Sequence, residues 1–317
     1  MIIRSLEWME RRSAVLLASG VFVGLISQDL AALCKPLVSV SVFVLFTATI
    51  LRLDWELVLR RLRAPLLPLA IVAALMIGAP LLIAGLVAVF HVPEFLRTPL
   101  VLLTSSPPLI AVPAFALLLG LDGPLALVIL VAASLLQPFI QPPVALALVG
   151  VKLDVGLVPL MTRLGVFVGG SFALGAVLRW IAGRERISHH GPALGGIAVV
   201  MLLVFAIGIM DGVRAVLLAD PGHALACIAA VFAISFGLQA VSIVVFWAAA
   251  PLWRLSGGEA LTASLVAGTR NMATLVAVLG NAASPDLYLV LAVNQFPMYL
   301  LPSIAGPIYR KLLQLRR

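Results

Sequence analysis

The sequence predicts an all-α polytopic membrane protein with ten transmembrane helices, and its composition is the first reason. Of the 317 residues, 63% are hydrophobic and 11% are charged, and the mean hydropathy is +1.19. Soluble domains of this size are much less apolar. A helix needs about 20 apolar residues to span a bilayer, and apolar runs of that length occupy nearly the whole chain. We therefore expect no sizeable soluble domain.

Ten apolar runs, separated by Gly, Pro and charged residues, are the second reason. An all-apolar run has no amphipathic face, so we place each helix by its length and by these interruptions. A cleaved signal peptide is disfavoured for the first run, because Leu33 stands where a cleavage site needs a small residue. The predicted spans are about 13–33, 37–53, 65–90, 97–120, 124–149, 157–182, 192–217, 223–252, 258–281 and 285–310.

The distribution of basic residues predicts the orientation of these helices. Fifteen of the 21 Lys and Arg residues fall on the side that holds the N-terminus, five fall on the other side, and Arg270 is left inside a span. By the positive-inside rule both termini are cytoplasmic, and we expect a bacterial inner membrane. The net charge of +8 is spread over short clusters between apolar runs, so it predicts no nucleic-acid partner. The residues on the N-terminal side are Arg4, Arg11, Arg12, Arg52, Arg60, Arg61, Arg63, Arg179, Arg184, Arg186, Arg254, Arg310, Lys311, Arg316 and Arg317, and those on the other side are Lys35, Arg97, Lys152, Arg163 and Arg214.

Two of the apolar runs contain interruptions. Arg270 stands near the middle of the ninth run, just after Gly268. A central Arg raises the insertion free energy by roughly 2.5 to 3.5 kcal/mol, and such residues usually face a protein interior or a wet cavity. In the fourth run, Pro107, Pro108 and Pro113 each remove a backbone donor and obstruct the preceding turn. We therefore expect helices 4 and 9 to be broken.

The positions of these breaks predict two inverted repeats, 13–150 and 157–312. Each break falls in the fourth helix of a group of five, and a five-helix unit repeated in tandem inserts in opposite orientations. Paired broken helices near the midplane form the substrate sites of many secondary transporters.

Polar residues close to the breaks form the candidate substrate site. Helix-bonding amides are the alternative interpretation, since such bonds contribute about 0.6 kcal/mol each, and for Gln137 and Asn294 the two interpretations are equally supported. The expected substrate-binding residues are Arg270, Asn271, Ser105, Ser106, Gln137, Thr274 and Gln295, and the expected helix breaks lie at Pro107, Pro108, Pro113 and Gly268.

The sequence predicts neither a metal site nor a catalytic centre. Cys34 and Cys227 lie in opposite halves without a CxxC pattern, and the four histidines form no HExxH motif. No Ser/His or paired Asp arrangement falls within the spans, so we expect no enzyme activity and no cofactor. Asp211 and Arg214, three residues apart at the end of the seventh run, are predicted to form an ion pair.

Residues 107–113, 121–138 and 267–278 resemble the bile acid:sodium symporter superfamily. This resemblance implies a transporter with ten helices in two inverted repeats. It also implies a core domain of helices 3–5 and 8–10, a panel domain of helices 1, 2, 6 and 7, and a crossing of helices 4 and 9 at their unwound centres.

The sodium sites that the resemblance implies are not retained in this chain. Sodium prefers several hard oxygen ligands, which aliphatic side chains do not supply, and a guanidinium would repel a neighbouring sodium ion. At the positions of the family's sodium ligands the chain has Leu75, Val112, Pro113, Ala126, Leu130, Val266 and Arg270.

Three interpretations of Arg270 stay open. It acts as a built-in cation that holds the crossover together, it binds an anionic substrate through its planar fork, or it only caps carbonyls freed by the prolines. The first two are compatible, and they predict a sodium-independent secondary transporter of a small organic anion or amphipath. One alternative is efflux of metalloids such as arsenite or of other solutes, although residues 104–106 offer hydroxyls and no thiol. The other is a non-transporting membrane sensor or receptor with a carrier fold.

Overall fold

The structure is a computed structural model that describes residues 2–11, 13–61, 63–150 and 156–314. Throughout these ranges the regular elements are helical, which confirms the predicted all-α class. Pro108 and Arg270 form an isolated antiparallel bridge. Four residues used for the orientation, Arg12, Lys152, Arg316 and Arg317, lie outside the described ranges.

Short helices alternate with long ones along the chain. A π-helical turn at Ala74–Gly78 and 3₁₀ turns at Lys35–Leu37 and Gly280–Ala282 lie between them. The α-helices are α1 Ile2–Arg11, α2 Ser13–Ile26, α3 Gln28–Cys34, α4 Val38–Arg52, α5 Trp55–Arg61, α6 Leu66–Ala73, α7 Ala79–Val89, α8 Glu94–Thr104, α9 Val112–Leu118, α10 Gly123–Val149, α11 Leu157–Ala182, α12 Arg184–His189, α13 Gly191–Gly208, α14 Val213–Ala219, α15 Pro221–Ala249, α16 Gly257–Gly268, α17 Ala273–Leu279 and α18 Pro285–Gln314.

Six helical segments of the described chain are long and apolar enough to cross a bilayer, so the chain is a polytopic membrane protein. A bent pair, Pro285–Met298 and Ser303–Gln314 with 47° between them, makes a seventh if it counts as one span. The predicted first, fourth and ninth runs are divided into shorter helices. The ten-span arrangement therefore stays a prediction. The six segments are Gln28–Arg52, Leu66–Val89, Gly123–Val149, Leu157–Ala182, Gly191–Ala219 and Pro221–Ala249.

The helices group into two compact units. Unit 1 comprises Met1–Asp54, Val158–Leu225 and Ala273–Ala292, and unit 2 comprises Trp55–Leu157, Ala226–Met272 and Val293–Arg317. A division into compact units shows neither the symmetry of the chain nor the movement of its parts. The repeats 13–150 and 157–312 and the core and panel domains therefore remain predictions.

Glycines allow the helices of unit 1 to approach closely. A Cβ built on Gly24 of α2 would lie 2.7 Å from the carbonyl oxygen of Ile207 on α13, and a Cβ on Gly208 would lie 2.9 Å from the carbonyl oxygen of Cys34. Helices in a bilayer have no hydrophobic drive toward each other, so close backbone packing is a main source of their association.

One cluster of charges holds three segments of unit 2 together. Arg61, at the end of α5, donates from one terminal nitrogen to Asp122 and to Glu259, each at 2.7 Å. Asp122 also caps α10 by accepting from the Leu125 N–H at 2.8 Å. Glu259 completes a capping box with Ser256 at the start of α16. Each carboxylate therefore fixes a helix start as well as an ion pair.

We expect Gly24→Ala to lower the free energy of unfolding by about 1 to 3 kcal/mol, because the added methyl meets backbone that cannot rotate away. Thermal unfolding in detergent measures the change. Gly165→Ala in α11 is the matched control, since a Cβ there meets nothing within 4 Å. If both variants unfold like the wild type, the close α2–α13 contact is not a source of stability.

Candidate functional site

Two helix interruptions face each other within unit 2, one between α8 and α9 and the other directly after α16. The Leu109 N–H donates to the Thr269 carbonyl oxygen at 2.8 Å, and the Asn271 N–H donates to the Pro107 carbonyl oxygen at 3.0 Å. Backbone groups inside a bilayer need internal partners, because no bulk water is available to them. The two breaks therefore satisfy part of each other's backbone.

The predicted break residues have different roles. Pro107 and Pro108 lie between α8 and α9, and Gly268 is the last residue of α16. Pro113 instead lies in the first turn of α9, where a missing N–H removes no helical hydrogen bond. Gly268 also packs closely, because a Cβ there would meet the side-chain oxygen of Gln239 and displace that side chain.

The guanidinium of Arg270 is buried at the meeting point of the breaks, with 3% of the residue exposed. Nε donates to the Ala267 carbonyl oxygen at 3.0 Å, Nη1 to that of Ser106 at 2.9 Å, and Nη2 to that of Leu75 at 2.8 Å. These carbonyls come from the ends of both interruptions and from the π-helical turn. Arg270 thus joins three segments of unit 2 through main-chain acceptors.

The Leu75 carbonyl is a functional group that the sequence did not reveal. It belongs to the π-helical turn between α6 and α7, where the hydrogen-bond repeat lengthens and the pairing of carbonyls changes. Such turns are frequent at functional sites. The sequence carried one signal for it, because Pro80 lies five residues after Leu75, in the first turn of α7, and has no N–H to donate to that carbonyl.

Polar side chains on one face of α10 lie beside the first break. Gln141 donates to the Leu102 carbonyl oxygen at 3.0 Å and to the Ser106 hydroxyl at 2.8 Å, and Gln137 donates to the Gln141 side-chain oxygen at 2.7 Å. The Ser134 hydroxyl and the Gln137 side-chain oxygen are buried without a hydrogen-bond partner among the described residues. Unsatisfied buried polar atoms cost about 1 to 3 kcal/mol each, so this face is suited to an added polar group.

The other predicted site residues differ in their surroundings. Ser105 is buried, and its hydroxyl donates to the Leu102 carbonyl oxygen of its own helix at 3.2 Å. Asn271 is half-buried, and Gln295 is buried in unit 2. Thr274 is buried in unit 1. Asn294, which was not among the predicted site residues, donates to the Arg270 carbonyl oxygen at 2.8 Å.

The positions that the resemblance assigns to sodium ligands are filled by packed aliphatic side chains. Leu75, Val112, Ala126 and Val266 belong to one buried hydrophobic cluster of unit 2, and Leu130 is 4% exposed. None of these side chains carries an oxygen atom. No group of three or more His, Cys, Asp or Glu residues in the described chain is arranged to hold a metal ion.

The sequence also did not predict a second buried polar cluster in unit 2. The Gln239 amide nitrogen donates to the hydroxyls of Ser264 and Tyr309, and those hydroxyls lie 3.1 Å apart. Residues from three distant parts of the chain form this cluster, and no local sequence pattern joins them.

The predicted Asp211–Arg214 ion pair is wrong. Asp211 pairs with Lys35 at 2.8 Å, and Arg214 donates to the Ile26 carbonyl oxygen at 3.2 Å. The turn that separates α13 from α14 interrupts the helical spacing on which the prediction relied.

No protein-family model matches the chain, and no curated protein matches its sequence.

We expect Arg270→Met to lower the free energy of unfolding by about 3 kcal/mol or more, because three buried carbonyls lose their donor at about 1 kcal/mol or more each. Thermal unfolding in detergent tests this. Arg163→Gln, at an exposed position of α11, controls for loss of one charge and should change stability by less than about 0.5 kcal/mol. Equal unfolding temperatures for the two variants would contradict the structural role of Arg270.

Proposed function

We propose that the chain is a sodium-independent secondary transporter of a small organic anion or amphipath that works by alternating access. The proposal includes ten spans in two inverted repeats, with helices 4 and 9 broken and crossing and both termini cytoplasmic in a bacterial inner membrane. The observation that carries it is the buried guanidinium of Arg270 at the junction of two helix interruptions. Helix breaks paired in this way are the usual construction of transporter sites.

The charge balance around Arg270 supports an anionic substrate. Arg is protonated at all relevant pH values, and no carboxylate of the described residues forms an ion pair with this guanidinium. A buried charge without a counter-ion is unfavourable, and an anion that enters the site removes that penalty.

The donor geometry of Arg270 supports the same class of substrate. A guanidinium carries five N–H groups, and three of them donate to the carbonyls of Ala267, Ser106 and Leu75. Within the described chain, each terminal nitrogen keeps one N–H without an acceptor. Two such donors from one guanidinium suit the oxygens of a carboxylate, sulfonate or phosphate.

A larger substrate would use the polar face of α10. Ser106 links the two parts of the site, because its carbonyl accepts from Arg270 and its hydroxyl accepts from Gln141. The unpaired atoms of Ser134 and Gln137 lie on that face, where they suit the hydroxyl groups of an amphipath.

The filling of the expected cation positions supports sodium independence. Aliphatic side chains occupy them, and hard cations need oxygen ligands. In this proposal the guanidinium donates to the carbonyls of the crossover, and it thereby replaces a bound cation that would otherwise bind them.

Transport into proteoliposomes tests the coupling ion. Pyruvate, benzoate and cholate, carboxylates of increasing size, would be supplied as labelled substrates, in sodium buffer and in potassium buffer, to vesicles that contain the same unlabelled anion. We expect at least one of them to be transported at rates that agree within about two-fold in the two buffers, because the described residues at the expected cation positions offer no oxygen-bearing side chain. Strict dependence on sodium would overturn the proposal, and so would binding without transport.

We expect Arg270→Lys to reduce transport of that substrate by about ten-fold or more. An ammonium keeps the charge but has no planar fork to bind an anion in two-point fashion while holding separate carbonyls. Arg163→Gln is again the control. Unchanged transport by a folded Arg270→Lys protein would show that the substrate binds elsewhere.

A further inference from the structure

We propose that unit 1 carries a binding site for the headgroup of an anionic glycerophospholipid, in a basic cavity at the membrane surface. The cavity has a volume of about 300 Å³, and the residues that line it include Arg52, Asp54, Arg179, Arg184, Ser188 and Gly191. The lining thus contains three arginines and one carboxylate-bearing residue. This site is separate from Arg270 and does not depend on the proposed transport function.

The ends of three apolar helices fix the depth of the cavity in the membrane. The candidate spans Gln28–Arg52 and Leu157–Ala182 end beside it, and Gly191–Ala219 begins there. A place where three spans terminate lies at the boundary between hydrocarbon and water. The lysine and arginine distribution predicts that this boundary is the cytoplasmic one.

The lipid-facing surface next to the cavity supports this position. Trp180 is 85% exposed and Ile181 is 66% exposed, directly after Arg179. Exposed Trp at the end of a span is typical of the headgroup level of a bilayer. An acyl chain can therefore lie along this apolar surface while its phosphate enters the cavity.

The chemistry of the cavity matches a phosphodiester with a hydroxylated headgroup. Arg179 is held in place because Nη1 donates to the carbonyl oxygens of Leu51 at 3.0 Å and Leu53 at 2.9 Å. Guanidinium groups bind phosphate oxygens as planar, always charged donors. Asp54 would repel a phosphate but accept from glycerol hydroxyls, and Ser188 adds a further hydroxyl. Basic pockets on the cytoplasmic side of membrane proteins bind anionic lipid headgroups.

The test compares lipid retention by the full chain in detergent, measured by native mass spectrometry after addition of phosphatidylglycerol or phosphatidylcholine. We expect the wild type to retain phosphatidylglycerol preferentially. The Arg52→Gln/Arg184→Gln variant should retain it less well by about five-fold for each arginine removed. The control is Arg60→Gln/Arg186→Gln, which loses the same charge from exposed positions outside the lining residues.

Two further measurements distinguish the possible outcomes of this test. If the double Gln variant does not fold, Arg52→Lys/Arg184→Lys keeps the charge without the planar forks, and we expect it to lose part of the preference. Inorganic phosphate at millimolar concentration tests whether a free anion suffices. Equal retention by the cavity variant and the control variant would overturn the proposal. Displacement of the lipid by inorganic phosphate alone would overturn the assignment to a lipid.

Discussion

The constraint on which the structure of unit 2 depends is the need to satisfy backbone carbonyls inside a bilayer. Two interrupted helices and one π-helical turn leave acceptors without regular helical partners, and Arg270 donates to one carbonyl from each of these places. An Arg at the centre of a membrane helix costs roughly 2.5 to 3.5 kcal/mol. A hydrogen bond from a charged donor contributes about 1.5 to 3 kcal/mol. Three such bonds offset the burial of the charge, so the breaks and the arginine stabilise each other.

The sequence was sufficient to predict the two helix breaks and the buried arginine beside them. Pro107 and Pro108 fall between helices, Gly268 ends α16, and Arg270 is buried beside both breaks. The roles of these residues could be predicted because proline, glycine and a charge within an apolar run each have a strong local effect. The sequence did not predict the partner of Asp211. Because a turn follows α13, Asp211 pairs with Lys35 and not with Arg214.

The acceptor side could not be predicted, and the reason is general. Every residue carries a carbonyl, so the letters of the sequence do not say which carbonyl will be free. Leu75 is a partial exception, because Pro80 has no N–H for its carbonyl, but only the fold shows that this oxygen binds the guanidinium. The Gln239, Ser264 and Tyr309 cluster depends on tertiary packing in the same way. The number of spans also depends on the fold, since six segments are long and apolar enough to cross a bilayer and the ten predicted spans stay a prediction.

A fixed cation at the crossover has a consequence for the proposed transport cycle. A sodium ion can leave when the substrate leaves, but the guanidinium of Arg270 is covalently attached and always charged. Movement of the empty site across the low-dielectric interior would carry an uncompensated charge, whereas an occupied site would carry a neutral pair. The electrostatic cost of reorientation is lower for the neutral pair. A carrier of this construction therefore favours exchange of one anion for another over net movement followed by an empty return.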